Sequence, residues 1–173
     1  AAHNRHVGID SGIPGVSPPL SGFLAAPYIF QRYSRLVIDC NRPPGHPTSI
    51  APLSDGTRVP ANQNLSAAQA ARREQEIFWP YQKAIAGQIA RMRLSGRAPA
   101  VIAMHSFTPR HGDYPAPRPW HIGVLFHRDD RLARPLIDLL EAEGDLTGGI
   151  NEPYAVDDSG DYAAPVHCEK GGL

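Results

Sequence analysis

A chain of 173 residues, 42% hydrophobic and 20% charged, is long enough to bury the core of one domain. Lys+Arg and Asp+Glu each number 17, so the net charge of zero gives no electrostatic case for binding nucleic acid or a membrane surface. No apolar run is long enough to span a bilayer, no signal-peptide pattern opens the chain, and Cys40 and Cys168 are too few for a disulfide framework, so a cytoplasmic protein with reduced thiols is expected.

In residues 1–25, Pro14, Pro18 and Pro19 fall where a helix beginning near Asp10 would continue. A proline in a helix interior costs roughly 3 kcal/mol, so a loop or a broken helix is expected there. Residues 26–30 and 36–40 read as strands, the second running from Leu36, Val37 and Ile38 into Asp39, Asn41 and Arg42, with Arg35 at its other end. Residues 43–65, rich in Pro, Gly, Ser and Asn, read as a long surface loop of the kind that often serves as a lid.

Ser66 with Gln69 three residues on is a capping box that opens the main helix. Ile77, Tyr81, Ile85 and Ile89 give that helix an apolar stripe, Pro80 is expected to kink or split it, and Gly96 to cap its end. Strands follow at 100–104 and 121–126. A second helix starts after Asp129 or Asp130 and runs through Leu132, Leu136, Leu139 and Leu140 to about Gly144. Helices alternating with apolar strands indicate an α/β fold, and 18 prolines favour a loop-rich enzyme over a helical bundle.

Strands of an open α/β sheet present binding groups at their carboxyl ends. Asn41 beside Arg42 suits a carboxylate, because the guanidinium fork donates two parallel hydrogen bonds; the competing reading is a surface loop with a salt bridge. Arg35 stands evenly between a role at the same pocket and structural pairing with Asp39. His105, where the second apolar run ends, suits a divalent metal, against a strand-end histidine bonded to backbone. His121 and His127 share a strand face but stand roughly 20 Å apart, too far for a metal pair. Ser106 lacks the Gly-x-Ser-x-Gly elbow of a nucleophilic serine, and Cys40 reads as an inert core thiol.

The segments Gln31–Arg42, His105-Ser-Phe-Thr-Pro109, His121–Phe126, Asn151-Glu-Pro-Tyr154 and His167-Cys-Glu-Lys-Gly-Gly-Leu173 follow one another in an order that resembles the N-formylglutamate amidohydrolase family. That family is distantly similar to the zinc carboxypeptidases and aspartoacylases, which share the Asn-Arg pair and the later histidine. The resemblance implies a three-layer αβα sandwich with a mixed, carboxypeptidase-like sheet. It also implies one domain over 1–173, incomplete at both ends, because the family's upstream His-containing turn and downstream Glu-x-Arg strand are not in the chain.

The activity so implied is zinc-dependent hydrolysis of an N-acyl amino acid, N-formyl-L-glutamate above all, with no nucleic-acid or membrane partner. His105 would bind zinc, joined by Asp10, for which a helix N-cap or a surface carboxylate is an equal alternative. Asn41 and Arg42 would clamp the substrate's α-carboxylate. Arg35 and His167 are the candidates for catalysis, His167 by orienting a ligand or shuttling protons and no less readily by a structural hydrogen bond. A non-catalytic carboxylate-binding relative of the same fold is the alternative.

Overall fold

The computed structural model describes Gly8, residues 10–110 and residues 116–170. It is a mixed helix and sheet protein with small sheets, and its described residues divide into two compact units with the boundary between Phe107 and Thr108. Among these residues no helix is long and apolar enough to cross a membrane.

The first unit opens with helix α1, Ile13–Phe23, where a loop or broken helix was expected. Gly12, at φ 87°, turns the chain into it, and Pro14 lies in the first turn, where the helix leaves N–H groups unpaired in any case. Pro18 and Pro19 then forfeit only the bonds that would have reached the carbonyls of Pro14 and Gly15, a tolerable loss in so short a helix. Residues 26–30 and 100–104, expected as strands, pair with no ladder, and Tyr28, Phe30, Val101 and Ile102 stand exposed along them.

Residues 36–40 also form no strand. They fold into turns, with Val37 N–H donating to Ser34 O, Arg42 N–H to Asp39 O and Asp39 N–H to Ser49 O. The carbonyls that a ladder would have used are taken by side chains from downstream. Asn62 Nδ2 donates to Leu36 O at 2.8 Å, Arg73 Nη1 to Val37 O at 2.7 Å and Gln82 Nε2 to Cys40 O at 2.7 Å. Leu36 packs on Val59 in a buried cluster, and Ile38 is fully buried.

The expected surface loop at 43–65 contains regular structure. Strands β1 (Leu53–Ser54) and β2 (Thr57–Arg58) form an antiparallel hairpin around Asp55-Gly56, both residues at positive φ as a two-residue hairpin turn requires. A 3₁₀ turn, Pro60–Asn62, follows and buries Asn62.

Helix α2, Ala67–Arg73, starts at the Ser66–Gln69 capping box, with both reciprocal bonds made. It passes through a π turn, Glu74–Phe78, into α3, Trp79–Leu94. The wide turn answers the difficulty posed by Pro80: Trp79 N–H reaches back to Glu74 O, so the helix meets the proline ring with its spacing already relaxed. Gly96, at φ 76°, closes α3 in a Schellman motif, its N–H bonded to Arg93 O and that of Arg97 to Met92 O. The expected stripe at Ile77, Tyr81, Ile85 and Ile89 is only half-buried; Phe78 and Gln82 are the side chains this helix buries most deeply.

The second unit holds a parallel pair joined by a helix: β3, Ile122–Val124; α4, Ala133–Ala142; and β4, Gly148–Ile150. The β3 strand and α4 lie where the sequence places them. The β4 strand is rich in glycine and gives little strand signal, yet glycine is what the pairing needs. A Cβ on Gly123 would stand 2.1 Å from Glu152 O, and one on Gly149 2.8 Å from the Trp120 ring. A second π turn, Ala164–Glu169, ends the described chain.

Candidate functional site

In the first unit His105 meets Asp10, Nδ1 lying 3.1 Å from Oδ2. The His105 side chain is 55% exposed and that of Asp10 30%. Gly12, not Asp10, occupies the N-cap of α1, so the carboxylate is free of that duty. The hydrogen bond to the Asp10 carboxylate raises the imidazole's pKa above its ordinary value and, helped by the Asp10 and Asp39 charges, outweighs the opposing effects of burial and of Arg35. Burial works to raise Asp10, but His105, Arg35 and the backbone N–H of Ser106 together hold its carboxyl below the usual carboxylate range. Arg35 thus acts on both Asp10 and His105, and the Asp39 charge reaches His105.

Asp39 organises the turn that carries the Asn-Arg pair. Its Oδ2 accepts from Arg35 Nη2 at 2.6 Å and its Oδ1 from the Asn41 N–H at 2.9 Å, while its carbonyl accepts from Arg42 N–H at 3.1 Å. Arg35 is the salt-bridge partner of Asp39, whose carboxylate is nearly buried, and the Arg35 side chain is about half-exposed. Asn41 and Arg42 are half-buried on this turn.

His167 belongs to the second unit. It is buried in the terminal π turn, with its ring edge-on to Tyr162 at 6.2 Å, and burial lowers its pKa, favouring neutral imidazole. His121 accepts the Thr147 N–H at Nδ1, which places its proton on Nε2. His127, Asp158 and Glu169 converge closely enough that their ligating atoms lie within 4.8 Å of one another. Arg128 already occupies that cluster: Nη1 lies 2.5 Å from Glu169 Oε2, its backbone N–H donates to Glu169 Oε1, and Nη2 bonds Asp158. A guanidinium neutralises both carboxylates there, so the cluster reads as an ion-pair clasp.

Residues 1–172 match the N-formylglutamate amidohydrolase family. The chain belongs to that family. The crystal structure of a gene product from Agrobacterium tumefaciens is similar to it, with a TM-score of 0.91 and 32% identity over 98% of this chain and 66% of that one. This chain thus spans a little under two thirds of that relative's length. Among curated proteins nothing matches.

Within this N-formylglutamate amidohydrolase family chain, the segment Asn151–Tyr154 that helped to signal the resemblance serves the second unit's architecture. Asn151, at φ 53°, donates its N–H to Val124 O and accepts the Phe126 N–H on its side chain, which finishes β3. Tyr154 accepts from buried Arg118, whose guanidinium also lies 4.9 Å from the tyrosine ring centroid. Sequence reading passed over Asn62, Arg73 and Gln82, the side chains that hold the Asn41–Arg42 turn. Their only signal was polarity at buried places, which a single sequence shows poorly.

Proposed function

We propose that this chain carries an amidohydrolase site for N-acyl amino acids, N-formyl-L-glutamate first among them, with zinc bound at His105. The observation that supports this most is the His105–Asp10 contact. It engages Nδ1 and leaves Nε2 for an ion, and metal-binding histidines are usually oriented by such a carboxylate on the second nitrogen. In this arrangement Asp10 fixes the ring from the Nδ1 side; to serve as a second ligand, as the family resemblance implies, it would have to leave Nδ1 and turn toward the ion. When bound, zinc would supply a water pKa lowered to about 7 and a polarised formyl carbonyl.

The chain's own residues bind and orient the substrate. Arg42 grips the α-carboxylate through its planar fork and Asn41 adds a donor beside it, so the acyl group is held in one position. Arg35, anchored by Asp39, places positive charge near His105, where the carbonyl oxygen gains negative charge as the amide is attacked. His167 stands in the other unit, and no step is assigned to it. The fold proposed with this function is the three-layer αβα sandwich of the zinc carboxypeptidases, for which the parallel β3–α4–β4 unit is a suitable component.

Arg42→Lys tests the reading. An ammonium cannot reproduce the bidentate fork, so kcat/KM for N-formyl-L-glutamate should fall about 10- to 150-fold. Metal content should not change, and the α-amide of the substrate, lacking the charge that is gripped, should lose far less. Equal losses on both substrates would move the clamp away from Arg42.

A further inference from the structure

The geometry points to Asn62, Arg73 and Gln82 as positioning residues that set the affinity of the Asn41–Arg42 turn for a carboxylate; this inference rests on the clamp reading above. The turn from Leu36 to Arg42 has no sheet to hold it; Asp39 shapes it from within, and side chains from later in the chain fix it from outside. The Leu36, Val37 and Cys40 carbonyls each accept a side-chain donor from a residue 26, 36 or 42 positions later. The donors are themselves interlocked. Arg73 Nη1 also donates to Asn62 Oδ1 at 2.7 Å and Nη2 to Ala61 O at 3.0 Å, while Asn62 donates a further bond to Ala51 O at 2.8 Å.

Asn62 is 6% exposed and Gln82 3%. Buried amides of this kind are stable only when bonded, and a bonded one has little freedom to move. Gln82 takes an interior place on α3 that an apolar side chain would ordinarily hold, and its donor goes to the carbonyl immediately before Asn41. Displacement of a binding group by about 1 Å can cost a hundredfold in rate, so a mount fixed at three of its carbonyls suits a two-residue clamp.

The experiment compares wild type with Gln82→Met and Arg73→Lys. Arg72→Met serves as control, because Arg72 is exposed and pairs with Glu76 one turn along the same helical run. Calorimetry measures binding of L-glutamate and of its α-amide, neither of which can turn over, and zinc content and far-ultraviolet circular dichroism are recorded for each protein. Both test variants should bind L-glutamate about tenfold more weakly and the α-amide within about twofold of wild type, as loss of one buried hydrogen bond predicts, with zinc content and helicity unchanged. Arg72→Met should match wild type.

If Gln82→Met does not fold, Arg73→Lys, which keeps a cation and a donor, decides the question. Folded variants with wild-type affinity for L-glutamate, or with equal losses on both ligands, overturn the inference alone. A wild-type chain that does not prefer L-glutamate to its α-amide overturns the clamp, and the inference with it.

Discussion

Cys40 lies between Asp39 and Asn41 in the clamp turn, a place that invites a nucleophilic reading. Its surroundings oppose it. The side chain is buried, Gln31 Nε2 lies 3.4 Å from Sγ, and burial, with the Asp39 charge beside it, pushes the thiol up to about 11. A thiol held that high is almost wholly protonated at neutral pH and cannot attack. In a Cys168→Ser background a thiol reagent at pH 8 should therefore label the native chain about two orders of magnitude more slowly than the urea-unfolded chain. Labelling of native Cys40 at the unfolded rate would show that the thiolate is accessible after all. The residues proposed from sequence for the site, His105, Asn41 and Arg42, were singled out because they stand in motifs of consecutive side chains. Asn62, Arg73 and Gln82 act through bonds across 26 to 42 residues and leave no local pattern.

At the level of elements, the legible parts were those specified by neighbours in sequence. The Ser66–Gln69 box, the Gly96 cap and the apolar spacing of α4 each use residues within a turn or two of one another. Residues 36–40 have the β-branched composition of a strand, but side-chain donors satisfy their carbonyls, and tertiary context overrides propensity. The Asp55-Gly56 hairpin signal was present in the sequence and was obscured by the polar stretch around it. The β4 strand was hidden because glycine has little strand propensity, although Gly149 suits the close approach of Trp120 and Glu152. That gives a direct test. Gly123→Ala should destabilise the protein by about 1–3 kcal/mol in urea denaturation, since its Cβ would meet a backbone carbonyl that cannot rotate away. A neutral result would mean that the β3 strand and the Glu152 turn are free to separate.

For the whole molecule, the chain's place in the N-formylglutamate amidohydrolase family is the ground for the proposed account, a zinc amidohydrolase site in which Arg42 would select the substrate. The His105–Asp10 contact and the turn organised by Asp39 are the geometry it builds on. The Arg128 clasp in the second unit is a poorer candidate for a metal centre, because its carboxylates already hold a guanidinium. The most direct test is to measure zinc content and N-formyl-L-glutamate hydrolysis on the same preparations of wild type and His105→Ala, before and after chelation. The account predicts roughly one zinc per wild-type chain, activity that leaves with the metal and returns with added zinc, and loss of both in His105→Ala. Activity that survives chelation, or full zinc occupancy in His105→Ala, would contradict it.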